Sequence, residues 1–329
     1  MKRRAVLIAT IALATAILLV LLFEAVQPHN GPMPKHLNFV LGVDTHGNEG
    51  PELNALEHGV RYFRTDISLN KSEEALLSME HRDYNASYLG ILDYETLPGG
   101  SSNKNWSLSE WNASVANALA AYPWISTWEI WNEPLVQQFQ TGYMNGSAYN
   151  YYMVIKSAAA IIRQSEPNAT IVCFGGAPVG NYYALQWYAQ VWNFGAANYC
   201  NAISIHAYPS GNELMDSAVN AAWNASLSAY EALTGKPVWI TEVGMPSSSA
   251  MPGYSASLQS SFMAQSLSFF DKYSYIKRVY WYDLWGLSDG SLEDNFGLLN
   301  LSDPNSSAEG AAWRLFLKLN NESESKNTS

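Results

Sequence analysis

The stretch Trp128-Glu129-Ile130-Trp131-Asn132-Glu133-Pro134 decides how the chain is read. Aromatic and β-branched residues open it as a strand, and Pro134, with no N–H to give to a ladder, ends it. A carboxylate therefore stands at the mouth of a strand, behind an Asn and among aromatic rings. Partial desolvation there raises a carboxyl pKa and suits Glu133 to protonating a leaving group. A lone Glu at a strand end is ordinarily a solvated loop residue. A second strand of the same kind, Val238-Trp239-Ile240-Thr241-Glu242, changes that reading, because it also ends on a Glu. Ends so distant in sequence meet if both strands belong to one parallel barrel, whose strand C-termini all open on one face.

Outward from these two strands, strand and helix patterns alternate eight times. The strands are expected at 38–44, 60–66, 88–92, 128–134, 170–174, 202–206, 238–242 and 279–283. Helices are expected at 51–58, 72–82, 109–122, 147–164, 183–194, 216–233, 256–273 and 308–319. The fold class is thus α/β, a single-domain (β/α)8 TIM barrel over residues 37–319, near the ~250 residues typical of the fold. An open doubly wound sheet is the alternative; eight regular units favour closure.

Ahead of the barrel, Lys2, Arg3 and Arg4 precede an uncharged apolar run over residues 5–23, close to the ~20 residues that span a bilayer. Residues 1–23 read as a signal anchor or a signal peptide, with a membrane contact through residues 5–23. Residues 24–36, rich in Pro, form a linker, and the polar residues 320–329 a disordered tail. Eleven Asn-x-Ser/Thr sequons, from Asn70 to Asn327, suit a glycosylated surface outside the cell. Cys173 and Cys200 fall in a strand core and just before the next strand, and are expected to be two buried free thiols.

Trp-Asn-Glu-Pro followed by Ile-Thr-Glu-Val-Gly resembles clan A of the retaining glycoside hydrolases, with features of families 39 and 5. The resemblance implies Glu133 as acid/base after strand 4 and Glu242 as nucleophile after strand 7. Arg64, in Arg61-Tyr62-Phe63-Arg64-Thr65-Asp66, matches the clan's strand 2 Arg that holds the nucleophile carboxylate; the plain alternative is a salt bridge to Asp66. A guanidinium there would keep Glu242 ionised while Glu133 stays protonated. Asn132 would bond the sugar 2-hydroxyl. His206 and Tyr208, in Ile205-His206-Ala207-Tyr208-Pro209, match a His-x-Tyr pattern in which the Tyr bonds the nucleophile and the His supports the sugar. Trp281 matches the aromatic floor of the sugar site, and the segment 294–299 resembles family 39. Asp44, His46 and Asp93 stand where the clan often has polar substrate contacts, but several families carry a His where this chain has Asp93. Trp106, Tyr143 and Trp285 either extend the cleft or pack.

The implied activity is hydrolysis of β-glycosidic bonds in a polysaccharide or oligosaccharide with retention. A non-catalytic glycan-binding protein and an envelope transglycosylase are the rival readings. No metal or cofactor is expected: the histidines lack ligand spacing, and no Gly-rich phosphate loop follows strand 1. A net charge of −11 without a basic patch argues against nucleic acid. The expected state is a monomer outside the cell or at its surface.

Overall fold

The computed structural model describes residues 36–46, 49–209, 214–247, 255–286, 295–299 and 310–327. Eight strands run β1 Val40–Thr45, β2 Tyr62–Asp66, β3 Ser87–Leu92, β4 Thr127–Ile130, β5 Thr170–Pro178, β6 Ala202–His206, β7 Val238–Val243 and β8 Ile276–Trp281. Each pairs in parallel with its neighbour in sequence, and β8 returns to β1 through Val40↔Arg278 and Val43↔Trp281, closing the barrel. One helix follows each strand: α1 Glu49–Glu57, α2 Lys71–Tyr84, α3 Leu108–Ala121, α4 Ala148–Ser165, α5 Tyr182–Asn193, α6 Ser217–Thr234, α7 Ala256–Phe270 and α8 Ala311–Asn327. This is the (β/α)8 TIM barrel expected from the sequence.

Short polar side chains set where the helices begin. Asn70, Ser107, Ser147, Asn181, Asp216 and Ser255 each accept from a backbone N–H of the first turn, satisfying donors that lack an intrahelical partner. Ser107 and Glu110 complete a reciprocal capping box.

Pleating sends alternate side chains into the barrel and out toward the helices. Leu89, Val172, Ala202, Trp239 and Tyr280 form a cluster of their own that fills the interior. Gly42 makes room for it, since a Cβ there would meet the Tyr280 ring at 2.7 Å. Below, the Arg278 guanidinium lies 4.5 Å from the Trp239 ring centroid, a cation–π contact. The larger core packs between strands and helices. The barrel is therefore solid, and polar chemistry is confined to its C-terminal mouth.

Three expectations change. Strand 8 ends at Trp281 rather than residue 283. The two cysteines form a disulfide instead of free thiols. The 3-10 turn Ala196–Asn198 delivers Cys200 to the start of β6, bringing its Cα to 5.7 Å from that of Cys173 on the neighbouring strand. The tail is helical to Asn327 rather than disordered from 320; once a helix is running each added residue needs only one more bond, and buried Asn320 ties it down by donating to Gly59 O. The apolar run 5–23 and the linker to residue 35 lie outside the described residues, among which no helix is long and apolar enough to cross a membrane.

The disulfide closes a loop with 27 residues of separation. Replacing both cysteines with Ala should lower the unfolding free energy by roughly 3 kcal/mol. Urea midpoints of the two forms test this, and coincident curves would show that the bridge constrains nothing.

Candidate active site

The centre of the mouth is Arg64, on β2 and only 1% exposed. Its Nε donates to Glu129 Oε2 at 2.6 Å, and its Nη1 to Asp44 Oδ2 and Glu242 Oε1 at 2.8 Å each. Nη2 donates to Asn132 Oδ1 at 2.9 Å. The partner is thus not Asp66, and the guanidinium fixes the ends of β1, β4 and β7 at once. Burial opposes the charge on Arg64, but the three carboxylates outweigh it and raise its pKa. Burial also pushes Asp44 well above the usual carboxylate range, in spite of Arg64.

Glu242 is held from a second side by Tyr208, whose hydroxyl donates to Oε2 at 2.7 Å. Both carboxylate oxygens are therefore occupied by fixed donors. Glu133 is seated differently. His206 Nδ1 lies 2.9 Å from Glu133 Oε1, and His206 Nε2 lies 3.3 Å from Glu242 Oε1, so one buried imidazole bridges the two carboxylates. Burial raises the Glu133 pKa, as expected from sequence, but the hydrogen bond and charge of His206, with Arg64 adding, bring the net shift below the ordinary value. Burial lowers His206, while Glu242 and Glu133 raise it overall. The two shifts run in opposite directions, so His206 competes with Glu133 for the proton the sequence reading placed on Glu133.

The backbone bends sharply to achieve this. Trp131 (φ 71°), Glu133 (φ 45°) and Phe174 (φ 83°) all lie in the left-handed region, each costing on the order of 1–3 kcal/mol. Glu133 N is tied to Gly175 O at 2.6 Å. Gly176, at φ 77°, passes so close to His206 that a Cβ would overlap the imidazole. The Asn-Glu-Pro turn and the Phe-Gly-Gly bulge of β5 are therefore one device, which aims Glu133 at the ring.

A cavity of about 620 Å³ opens over these groups. Asp44, Arg64, Asn132, Glu133, Tyr208 and Glu242 line it, and His206 stands beneath. Trp281 does not line it. Tyr280 points into the barrel, so alternation turns Trp281 outward, fully buried with its ring 6.2 Å from Phe262 of α7. Tyr282 supplies the aromatic wall instead, 5.5 Å from Phe296. Trp106 is buried packing against Trp131, and Trp285 packs edge-on against His46. Sequence reasoning missed Glu129, which sits mid-strand where a carboxylate gives no local signal, and Tyr282, because the motif match put the aromatic floor one residue earlier, at Trp281.

Asp93 is buried, with Oδ1 accepting from Glu95 N, and lies outside the cavity lining. His46 does face the cavity, with Nε2 3.3 Å from buried Asp283 Oδ2. Burial lowers His46, yet Asp283, Asp66 and Asp44 raise it to about 9. Burial pushes Asp283 up to about 6 against the pull of His46. Between those two values both partners are charged. Among the described residues, Glu133, His206 and Glu242 also bring donor atoms within 4.8 Å of one another, a grouping able to hold a metal. Arg64 sits 2.8 Å from Glu242 Oε1 and opposes a second cation there.

Two outcomes follow from this geometry. Gly176→Ala should keep the fold, at about 1–2 kcal/mol for the left-handed Ala, and displace His206. Turnover of the variant should fall at least ~10-fold, and an unchanged rate would mean that the seat of His206 is immaterial. His46 has a folded pKa above the unfolded ~6.5, so its contribution is full below 6.5 and is lost as pH rises toward about 9. Melting temperatures of the parent should decline across that window relative to a His46→Gln/Asp283→Asn double variant. Parallel curves would contradict the pairing.

No curated protein matches the sequence. Among solved structures, the chain is similar to a family 39 glycoside hydrolase from Bacteroides cellulosilyticus, at 18% identity and TM-score 0.64, covering 87% of this chain and 64% of that one. It is also similar to a family 128 endo-β-1,3-glucanase from Amycolatopsis mediterranei (17%, TM-score 0.54, 84% and 98%) and to a β-xylosidase from Caulobacter crescentus (14%, TM-score 0.59, 90% and 70%). At these identities the likeness is one of fold, and the chain spans 64% of the length of the family 39 structure. The family model of the glycosyl hydrolase catalytic core matches residues 80–309, from the end of α2 past β8. Matched over more than half its length, the chain belongs to that family of glycosyl hydrolases.

Proposed function

We propose that this glycoside hydrolase cleaves β-glycosidic bonds of a polysaccharide or oligosaccharide by double displacement, with retention of configuration. The observation that carries the reading is the placing of Glu133 and Glu242 oxygens within 4.8 Å of each other. Retaining enzymes hold their carboxyl groups only ~5–5.5 Å apart, too close for a water between nucleophile and sugar. Glu242, held by Arg64 and Tyr208, attacks the anomeric carbon. Glu133, taking its proton from His206 along the 2.9 Å contact, gives it to the leaving oxygen. Once Glu242 is esterified its charge is gone, and with it the strongest support for a proton on His206. Glu133 then serves as base for the incoming water, and its proton restores the His206–Glu133 pair. One proton circulates, and no redox step or bound group is called for.

Asn132, aligned by Arg64, faces the cavity where a 2-hydroxyl would lie, a contact that strengthens in the transition state. The lining includes Asp44, Asp66, Glu73, Glu95, Glu133 and Glu242 against Arg64 and His46, which favours neutral or basic sugars over uronates. The disulfide supports a site outside the cytosol, where such bonds persist. A tether through residues 5–23 is part of the same reading.

The test sets the parent and Glu242→Ala on β-glucans, mannans, xylans and purified exopolysaccharides, following reducing ends and the first-formed anomer by NMR. Cleavage by the parent alone, giving the β-anomer first, is the expected result. Glu133→Ala should slow cleavage of natural linkages by about 10²–10⁴. The α-anomer first, or an active Glu242→Ala, would defeat the mechanism; tight binding without cleavage would instead favour a glycan-binding protein.

A further inference from the structure

The barrel interior changes character between its floor and its mouth. Below lie Leu89, Val172, Ala202, Trp239 and Tyr280, and above stand the charged groups that line the cavity. Between the two, on β6, sits Ser204, fully buried and two residues before His206. Alternation puts Ala202, Ser204 and His206 on one face of that strand, in rising order toward the mouth. A lone Ser in a strand ordinarily fills space. This one stands opposite a break in the neighbouring strand.

The ladder between β5 and β6 pairs Cys173 with Ile203 and Ala177 with Ile205, so Phe174, Gly175 and Gly176 all stand opposite Ser204 alone. All three have left-handed backbone, at φ 83°, 55° and 77°. A bulge of this size takes buried backbone groups out of the ladder, and each must find another partner. Ser204 meets two of them. Its Oγ accepts from Gly176 N at 2.7 Å and donates to Cys173 O at 3.2 Å. One hydroxyl thus spans the bulge, from the carbonyl before it to its last amide, using both its donor and its acceptor capacity.

The peptide it holds is the one on which the site turns. Gly175 O and Gly176 N belong to a single planar peptide unit and point to opposite sides of it. On one side Gly175 O accepts from Glu133 N at 2.6 Å; on the other Gly176 N donates to Ser204. A Cβ on Gly175 would meet Trp131 O at 2.7 Å, so the bulge also packs directly on the turn that carries Glu133. Gly176 in turn lies against the His206 ring. Glu133 therefore takes its backbone position from one end of this peptide, and His206 its ring position from the other. The 2.9 Å contact between Glu133 Oε1 and His206 Nδ1 is the result.

We propose that Ser204 is a positioning residue for the Glu133–His206 pair: its hydroxyl fixes the Gly175–Gly176 peptide, and that peptide sets how closely carboxylate and imidazole meet. The positioning is a property of the free protein, and only its effect on turnover rests on the glycosidase reading above. Without the hydroxyl, Gly176 N–H has lost its partner and the peptide is free to rotate. Rotation draws Gly175 O away from Glu133 N and shifts the surface against which the imidazole rests. His206 is faced by Glu133 from the turn after β4, by Glu242 from β7 and by Tyr208 beyond its own strand, with the charge of Arg64 on β2. Of these contacts only the one to Glu133 runs through the β5 bulge. Loosening it weakens one of the two carboxylate charges that hold a proton on the ring, so His206 gives up that proton at lower pH.

The test reads this proton directly and needs no substrate. The full-length protein, with its histidine rings labelled with nitrogen-15, is titrated by NMR as the parent, Ser204→Ala and Ser204→Thr, and His206→Gln identifies the signal. The expected His206 midpoint is about one pH unit lower in Ser204→Ala than in the parent, the scale set by one opposite charge at contact distance. Ser204→Thr keeps a hydroxyl and should titrate with the parent. In the parent itself, the Gly176 amide should exchange with deuterium as slowly as the ladder amides of β5. On a β-linked glycan that the parent cleaves, Ser204→Ala should lower kcat about tenfold and leave KM within about twofold.

A purely structural Ser204 would lower the melting temperature of Ser204→Ala and leave the His206 midpoint in place. That result overturns the proposal, as does an equal fall of the midpoint in Ser204→Thr. A Gly176 amide that exchanges at the rate of free solvent-exposed amides overturns it on the parent alone, whether or not a variant folds. Lack of cleavage on every glycan would defeat the glycosidase mechanism, while the titration still decides the role of Ser204.

Discussion

One buried guanidinium holds the mouth of this barrel together. Arg64 is only 1% exposed, and it reaches Asp44, Glu129, Asn132 and Glu242 on three other strand ends. Removing one partner from such a buried pair costs about 3–5 kcal/mol, because the survivor is left charged in a low dielectric. The barrel interior below is apolar and cannot absorb that charge, so the carboxylates have one place to go. Stability and chemistry thus use the same bonds. The guanidinium that satisfies Glu129 through Nε also holds Glu242 through Nη1, and its Nη2 aligns Asn132.

The second constraint is the single imidazole between the Glu133 and Glu242 carboxylates. Two carboxylates this close repel each other, and a group that shares a proton between them relieves the repulsion. His206 can stand there only because Gly176 has no side chain, and Glu133 reaches it only because its own backbone is left-handed. Helical or extended geometry at Glu133 would swing the carboxylate away from Nδ1. The strain at Trp131, Glu133 and Phe174 is therefore an expense that the rest of the barrel offsets, and it falls where the chemistry needs it.

What the sequence made legible follows from the range of each signal. The eight alternating units were visible because periodicity repeats over many residues, and Glu133 and Glu242 because both stand at strand ends beside turn residues. Arg64, Asn132, His206 and Tyr208 were found through motif positions, and the structure brings all four to the two Glu. The failures came where a single residue of register or a distant contact decides. Trp281 was named from its motif position, but alternation along strand 8 turns it outward and leaves the wall to Tyr282. Glu129 looks like any polar residue in a strand until Arg64, 65 residues earlier, is known to face it. Burial alone gave Glu133 a raised pKa, since the opposing term is an imidazole 73 positions away. Cys173 and Cys200 were separated by the same blindness to approach across strands.

The division of labour around the mouth shows why the fold can vary its substrate without disturbing its chemistry. Arg64, Glu129, Glu242 and His206 are carried by strands, whose positions the ladder fixes on both sides. Tyr94, Lys104, Gln138, Phe139, Tyr282 and Phe296 are carried by the connections above them. A change in a connection alters which sugar faces fit, while the distances among the strand-borne groups persist. That separation accords with one fold, at 14–17% identity to this chain, carrying both an endo-β-1,3-glucanase and a β-xylosidase. In this chain the connections after β3 and β4 are pinned by backbone bonds and a buried indole, so the variable part of the site is as preorganised as the constant part. A rigid wall loses little entropy when a ligand binds, and on the proposed function that binding energy goes to orienting the bond over Glu133 and Glu242.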